Sequence, residues 1–88
     1  MKAVRVHTPG GPEVLTYEDM PDPTPGPGEA LVELKVIGVN YSDTAYRKGA
    51  YPNQVVSLPL VPGHEATGVV LGLGEGVTNV KVGDRVAF

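Results

Sequence analysis

The densest group of hydrogen-bonding side chains in this 88-residue chain lies between Gly38 and Pro52. It contains one amide, two hydroxyls, one carboxylate and three phenols, at Asn40, Tyr41, Ser42, Asp43, Thr44, Tyr46 and Tyr51. Neutral amide and hydroxyl donors can hydrogen-bond a carbonyl oxygen on which negative charge develops. The stretch therefore predicts a polar binding corner. The alternative explanation is an ordinary capped helical turn with no further role.

The same stretch carries the start and stop signals of a short helix. Asn40 or Ser42 can cap its first turn, because each side chain can accept a hydrogen bond from an otherwise unsatisfied amide. Gly49 can end the helix, since glycine adopts the left-handed conformation of the residue after a helix. Three tyrosines, including Tyr51, fall within eleven residues. This clustering favours the wall of a cleft over a core.

The pair His64 and Glu65 offers the clearest metal-ligand chemistry in the sequence. A zinc site uses three or four ligands, and Asp43 could supply a third only if the fold brings it close. The chain contains no cysteine, which excludes disulfides, thiolate catalysis and a cysteine-based zinc site within these residues. A loop histidine that helps to order a turn is therefore the favoured interpretation, and a metal site at His64 and Glu65 is the alternative.

A glycine-rich segment, Gly72-Leu73-Gly74-Glu75-Gly76, superficially resembles a nucleotide-binding loop. Its spacing is G-x-G-x-G rather than G-x-G-x-x-G, and no helical pattern follows it. Phosphate binding at a helix N-terminus therefore has no helix to use. The segment predicts a turn after a strand.

Alternating apolar residues predict the strands that must position these groups. The clearest strand runs over residues 29–39 and places Val32, Leu34 and Val36 on one face. Gly38 at its end indicates a bend or a close approach of backbones. Paired glycines in a second strand, over residues 65–73, indicate bulges or tight corners. Shorter strands are predicted over residues 2–7, 14–20 and 85–88, with a turn over 8–12 and loops over 21–28 and 51–62.

Composition bounds the class of protein. Twelve glycines and nine prolines, spread between apolar runs, are typical of a small, mainly β domain with many turns. A net charge of −3 without a basic cluster argues against a nucleic-acid partner. No apolar run approaches the roughly 20 residues needed to cross a bilayer, and the N-terminus lacks the apolar segment of a signal peptide. We therefore expect a cytoplasmic protein without a membrane partner.

Eight motifs occur in an order that resembles one enzyme family. They are Gly10-Gly11-Pro12-Glu13-Val14-Leu15, Pro25-Gly26-Pro27-Gly28-Glu29, Gly38-Val39-Asn40 with Asp43, Arg47-x-Gly49-x-Tyr51-Pro52, Leu60-Val61-Pro62-Gly63-His64-Glu65, Gly68-Val69-Val70, Gly74-Glu75-Gly76-Val77 and Val82-Gly83-Asp84-Arg85-Val86. Together they cover essentially the whole chain. The ordered set resembles the N-terminal part of the zinc-independent quinone oxidoreductases, the zeta-crystallin-like branch of the medium-chain dehydrogenase/reductase superfamily.

The resemblance implies a mainly β, GroES-like, partly open barrel with one short helix, spanning residues 1–88. In that family a Rossmann domain that binds NADPH follows, and the chain then returns to complete the barrel. We expect this sequence to be the N-terminal fragment, without the Rossmann domain or the closing strands. It would correspond to about a quarter to a third of a family enzyme. The full-length parent is expected to be a homo-oligomer.

The implied reaction is hydride transfer from NADPH to a quinone or an enone, without zinc. The residues from Asn40 to Thr44, together with Tyr46, are expected to face the nicotinamide and the substrate. No residue is assigned as a catalytic acid, base or nucleophile, because the hydride chemistry belongs to the cofactor. The isolated chain is expected to be inactive, since nothing in it can hold the adenine and phosphate end of the dinucleotide.

This chain departs from the patterns of quinone oxidoreductases and of zinc alcohol dehydrogenases at one position each. Quinone oxidoreductases often carry a cofactor-contacting tyrosine directly after the Asp-Thr pair, where this chain has Ala45, with Tyr46 one residue later. Zinc alcohol dehydrogenases have a cysteine where this chain has Asn40, although the later Gly-His-Glu that contains His64 is shared. The missing thiolate would leave a poor zinc site.

Two alternatives stay open. The chain could be the lobe of a zinc-dependent alcohol dehydrogenase in which Asn40 stands in for the cysteine. It could also be a stand-alone GroES-like interaction module that associates through an unpaired strand edge.

Overall fold

The computed structural model describes residues 1–50 and 57–88 of the chain. This part of the chain forms five strands, one α-helix and one 3-10 helix. In chain order they are β1 (Lys2–Val6), the 3-10 helix (Pro12–Val14), β2 (Leu15–Asp19), β3 (Ala30–Ile37), α1 (Tyr41–Lys48), β4 (Ala66–Leu73) and β5 (Arg85–Ala87). The mainly β fold with one short α-helix confirms the expected fold class. No helix in these ranges is long and apolar enough to span a membrane.

The chain divides into two compact units. The first, here called the helix unit, comprises Met1–Pro21 and Val39–Gly63 and contains β1, the 3-10 helix, β2 and α1. The second, here called the sheet unit, comprises Asp22–Gly38 and His64–Phe88 and contains β3, β4 and β5. Each unit thus draws on two separate segments of the sequence.

In the helix unit, the two strands predicted on either side of the turn over 8–12, β1 and β2, pair as an antiparallel hairpin in which Val6 lies opposite Leu15. Val6 is fully buried and also exchanges backbone hydrogen bonds of 2.8 and 2.9 Å with Leu60. The 3-10 helix at the start of β2 is an element that the sequence did not predict. Pro12 suits its first position, but three residues are too few to show a helical period.

The sheet unit contains one antiparallel sheet with the strand order β3-β4-β5. Ala66 and Val70 of β4 are buried, and they form the apolar centre of this unit. From Ala66 to Leu71, buried residues of β4 alternate with exposed or half-buried ones. The three strands therefore confirm the predictions for residues 29–39, 65–73 and 85–88 to within two residues at each end.

The pairing of β3 with β4 contains two register shifts. They lie next to Leu31 and Leu34, whose partners in β4 are Gly72 and Gly68. A side chain at Gly68 would overlap the carbonyl oxygen of Glu33, so β4 can approach β3 this closely only with glycine. The expected irregularities at the two glycines of β4 are confirmed.

The second register shift overturns the predicted face of β3. Leu34 pairs with Gly68, whereas Val36 pairs with Thr67, the neighbouring residue of β4. Successive residues of a strand point to opposite faces, so Leu34 and Val36 lie on opposite faces of the sheet. The prediction that they share a face was wrong because Lys35 is the extra residue of a bulge.

Candidate functional site

Helix α1 begins immediately after Asn40, whose backbone is extended (φ −119°, ψ 156°). The Asp43 carboxylate accepts a hydrogen bond from the Asn40 backbone N–H at 2.9 Å, and the Asp43 N–H donates to the Asn40 carbonyl at 3.0 Å. The two residues form a capping box, in which a carboxylate at the third helical position satisfies the amide of the cap. The structure thus confirms a capped helix and selects Asn40 over Ser42 as its cap.

The helix ends at Gly49, as the sequence predicts. Gly49 is left-handed (φ 71°), and its N–H donates to the Tyr46 carbonyl at 3.1 Å. The Ala50 N–H donates to the Ala45 carbonyl at 3.0 Å. These bonds satisfy carbonyls that the last turn would otherwise leave without partners. The stretch therefore contains the capping residues for both ends of α1.

The side chains at the helix start differ in exposure. Val39 and Tyr41 are 87% and 88% exposed, whereas Ser42 and Asp43 are half-buried. Thr44 is also half-buried, and its hydroxyl donates to the Tyr41 carbonyl at 2.6 Å. The first turn therefore presents one phenol prominently and keeps its smaller polar side chains close to the backbone.

The hydrogen bonds assign different tasks to the polar side chains. Asp43 and Thr44 each make at least one bond that stabilises the first turn. The Asp43 carboxylate lies at the positive end of the helix, which compensates part of its charge. The exposed phenol of Tyr41 and the amide of Asn40 are neutral groups of the kind that suits a carbonyl-containing ligand.

Tyr46 lies on the second turn of α1 and is half-buried, as is its neighbour Ala45. Ala45 occupies the position at which the resemblance to quinone oxidoreductases leads us to expect a tyrosine. One step along a helix rotates a side chain by about 100°, so Tyr46 points in a different direction from a tyrosine at position 45. The third tyrosine of the predicted cleft wall, Tyr51, lies outside the described residues.

His64 and Glu65 belong to the sheet unit, and both are exposed. The Gly38 N–H donates to the Glu65 carbonyl at 2.9 Å, and a Cβ on Gly38 would come within 2.7 Å of Glu65 Oε1. Gly38 and Glu65 line an open cleft of about 460 Å³ together with Thr67 and Phe88. The sequence indicates the close approach at Gly38 but not the cleft, because the ends of three separate strands form it.

The donor groups around His64 do not form a metal site. Within residues 1–50 and 57–88, no three or more His, Asp or Glu side chains are grouped so that they could hold a metal ion. A site built on His64 and Glu65 thus has no third ligand among the described residues, and the chain has no cysteine to offer one. The described residues alone therefore do not supply the donor set of a zinc site.

Comparison with known proteins identifies relatives of this chain. Residues 26–88 match the alcohol dehydrogenase GroES-like domain. The quinone oxidoreductase of Pseudomonas aeruginosa is 49% identical over 79 residues, which are 90% of this chain and 24% of that protein. The alcohol dehydrogenase of Schizosaccharomyces pombe is 45% identical over 80 residues, which are 91% of this chain and 23% of that protein.

A solved structure gives the same result. The crystal structure of Escherichia coli quinone oxidoreductase complexed with NADPH matches all of this chain with a TM-score of 0.91 and 42% identity, and the match covers 26% of that protein. The chain thus spans about a quarter of the length of these relatives. The resemblance to quinone oxidoreductases, drawn from the ordered motifs, is confirmed. Because the matched domain covers most of its residues, the chain belongs to the alcohol dehydrogenase GroES-like domain family.

Proposed function

We propose that this chain is the N-terminal lobe of an NADPH-dependent oxidoreductase that transfers hydride to a quinone or an enone without a metal ion. The observation that carries the proposal is the corner at Asn40. A zinc alcohol dehydrogenase would place a cysteine ligand there. Here an asparagine caps α1, and its backbone N–H donates to the Asp43 carboxylate at 2.9 Å. An amide donor in place of a thiolate suits a reaction steered by hydrogen bonds.

The cofactor would supply the hydride, and this chain would bind and orient the reactants. The Asn40 amide and the Tyr41 and Ser42 hydroxyls would hydrogen-bond the nicotinamide carboxamide or the carbonyl of the substrate. The exposed ring of Tyr41 would offer a planar surface beside them. Asp43, Thr44 and Tyr46 would complete this wall of the cofactor site, the first two mainly by fixing the helix start.

The rest of the enzyme would lie in a longer polypeptide, here called the full-length enzyme. It would contain the Rossmann domain and the strands that complete the barrel, and it would act as a cytoplasmic homo-oligomer. The NADPH complex of the related E. coli quinone oxidoreductase supports the choice of cofactor. The adenine and phosphate end of NADPH would bind in the Rossmann domain, so we expect the 88-residue chain alone to be inactive.

Some relatives are alcohol dehydrogenases, which keeps a zinc enzyme as the competing function. Such an enzyme would use His64 as a ligand. Stoichiometric zinc in the full-length enzyme that is lost in His64→Ala would favour it. We expect instead a metal-free enzyme whose quinone reduction survives His64→Ala.

The experiment that tests the proposal compares two substitutions of Asn40 in the full-length enzyme. Both Asp and Ser cap helices well, so Asn40→Asp and Asn40→Ser should leave the folded structure intact. Asn40→Asp replaces the amide donor by a carboxylate, so kcat/KM for quinone reduction by NADPH should fall about 10²–10³-fold. Asn40→Ser keeps a short hydroxyl donor and should lose less. Full activity in Asn40→Asp would contradict the proposal.

A further inference from the structure

Helix α1 is joined to the loop over residues 8–12 by hydrogen bonds outside its capping box. Arg47 Nε donates to the Gly10 carbonyl at 3.2 Å, and the Gly10 N–H donates to the Arg47 carbonyl at 3.0 Å. The two residues are 37 positions apart in the sequence. The exchange therefore ties the connection between β1 and β2 to the last turn of the helix.

A close packing contact accompanies these bonds. A Cβ on Gly49 would come within 3.1 and 3.2 Å of Pro9 Cβ and Cγ, so the proline ring lies directly against the helix end. A Cβ on Gly10 would come within 2.7 Å of Val14 Cγ1. Glycine at position 49 thus allows the loop to approach the helix end, whereas glycine at position 10 leaves room for the Val14 side chain of the 3-10 helix. We call the set of Pro9, Gly10, Arg47 and Gly49 the loop clamp.

The geometry points to Arg47 as a positioning residue for the polar corner at Asn40. Helix α1, which Asn40 caps and which has Arg47 in its last turn, has eight residues and is about 12 Å long, so it transmits the position of one end to the other. Holding the last turn against the loop over 8–12 sets where Asn40 lies relative to the β1–β2 hairpin. The inference rests on the proposed function, because this position affects a reaction only if the corner orients a reactant.

The side-chain hydrogen bond of the loop clamp requires arginine rather than a positive charge as such. Arg47 donates from Nε, a group that lysine lacks, and its planar guanidinium is held more rigidly than an ammonium on a flexible stem. Arg47→Lys therefore keeps the charge and replaces the Nε donor by an ammonium that lies one bond farther along a flexible side chain. The exposed neighbour Lys48 provides the matched control, because Lys48→Ala removes a charge from the same turn and leaves the loop clamp in place.

The first test measures the clamp itself in the 88-residue chain by amide hydrogen exchange. Arg47→Lys should speed the exchange of the Gly10 and Asn40 amides by about 10-fold or more, whereas Lys48→Ala should change it less than about 2-fold. Unchanged exchange at both amides in Arg47→Lys would overturn the clamp. If that variant does not fold, the Arg47 Nε–H of the unsubstituted chain decides the matter: protection from solvent exchange supports the clamp, and free exchange overturns it.

The second test measures catalysis in the full-length enzyme at a temperature well below the melting point of each variant. Arg47→Lys should lower kcat for quinone reduction about 10-fold or more with little change in KM for NADPH, because small displacements of reacting groups are costly. Lys48→Ala should match the unsubstituted enzyme. If Arg47→Lys left kcat unchanged while Asn40→Asp lowered kcat/KM, the positioning role alone would be overturned. If Asn40→Asp left kcat/KM unchanged, the proposed function would be overturned. The amide exchange experiment would still test the loop clamp.

Discussion

The sheet unit and the helix unit hold their critical residues in different ways. In the sheet unit, Gly74 lies so close to another segment that a side chain there would overlap the Gly26 carbonyl oxygen. In the helix unit, the position of Asn40 depends on a hydrogen bond from its backbone to the Asp43 carboxylate. Steric exclusion at Gly74 in the sheet unit leaves no choice of residue. The hydrogen bond to Asn40 in the helix unit can be made by any side chain that provides the same acceptor.

The difference shows where this fold can accommodate chemistry. A surface held by hydrogen bonds can change its ligand-facing side chains while the helix stays capped. In the sheet unit, by contrast, close backbone contacts at Gly68 and Gly74 fix the positions of the neighbouring segments, so neither glycine can be replaced by a larger residue. The polar corner lies in the unit that tolerates change, and its scaffold is the pair of caps at the two ends of α1.

The largest effect is expected from Gly74→Ala. Its added methyl group would overlap backbone, and the Gly74 N–H bond to the Glu29 carbonyl at 2.7 Å would have to break or shift. We expect the free energy of unfolding to fall by about 3 kcal/mol or more, or the chain not to fold. Urea denaturation followed by circular dichroism measures this.

The matched control is Gly76→Ala in the same turn. Gly76 has a φ of 82°, but a Cβ added there would meet no atom within 4 Å, so only backbone strain should act, at about 1 kcal/mol. If Gly74→Ala and Gly76→Ala lowered the free energy of unfolding equally, steric overlap at Gly74 would not be the cause of its loss.

A smaller effect is expected from the capping box. Asp43→Ala removes the acceptor of the Asn40 N–H and should lower the free energy of unfolding by about 1 kcal/mol. Asp43→Asn keeps a side-chain oxygen as acceptor and should lose less, which makes it the matched control. The same denaturation experiment applies. If the two variants were equally destabilised, the charge rather than the hydrogen bond would dominate.

The smallest effect is expected at the turn before β5. The Lys81 N–H donates to Asp84 Oδ2 at 3.0 Å, and the Lys81 ammonium lies 3.1 Å from Oδ1. The backbone hydrogen bond, then the side chain of Lys81, lowers the pKa of Asp84 below its ordinary value of 3.8. Because the folded pKa is the lower one, the ionised carboxylate stabilises the fold above about pH 4, and this stabilisation is lost as the pH falls through the folded pKa.

Unfolding measured between about pH 2 and about pH 6 tests this sign. Asp84→Asn should flatten the acid end of the stability curve slightly, because an ion pair with the exposed ammonium of Lys81 contributes little. Glu75→Gln removes an exposed carboxylate from the neighbouring turn and serves as the control for the change in net charge. An acid limb that is the same in Asp84→Asn and the unsubstituted chain would contradict the assignment.

The parts of the fold that depend on local signals were predictable. Asn40, Asp43 and Gly49 identify the helix and both of its ends within ten residues, because caps and left-handed glycines act over one turn. The bulge at Lys35 was not predictable from β3 alone, since it depends on the partner glycine in β4.

Contacts distant in sequence escaped prediction for the same reason. The Arg47–Gly10 bonds span 37 residues, and neither residue type signals the other. The roles of the corner residues toward a cofactor stay predictions, as does the place of Tyr51 in a cleft wall, because that residue lies outside the described ranges.

The central claim is that a hydrogen-bonding corner at Asn40, and not a metal ion, steers the hydride acceptor. The most direct measurement is the ratio of kcat/KM for quinone reduction between Asn40→Asp and Asn40→Ser in the full-length enzyme after exhaustive chelation. We predict that chelation leaves the unsubstituted enzyme fully active and that Asn40→Asp is the weaker of the two variants. Activity that disappears on chelation and returns with zinc would contradict the account.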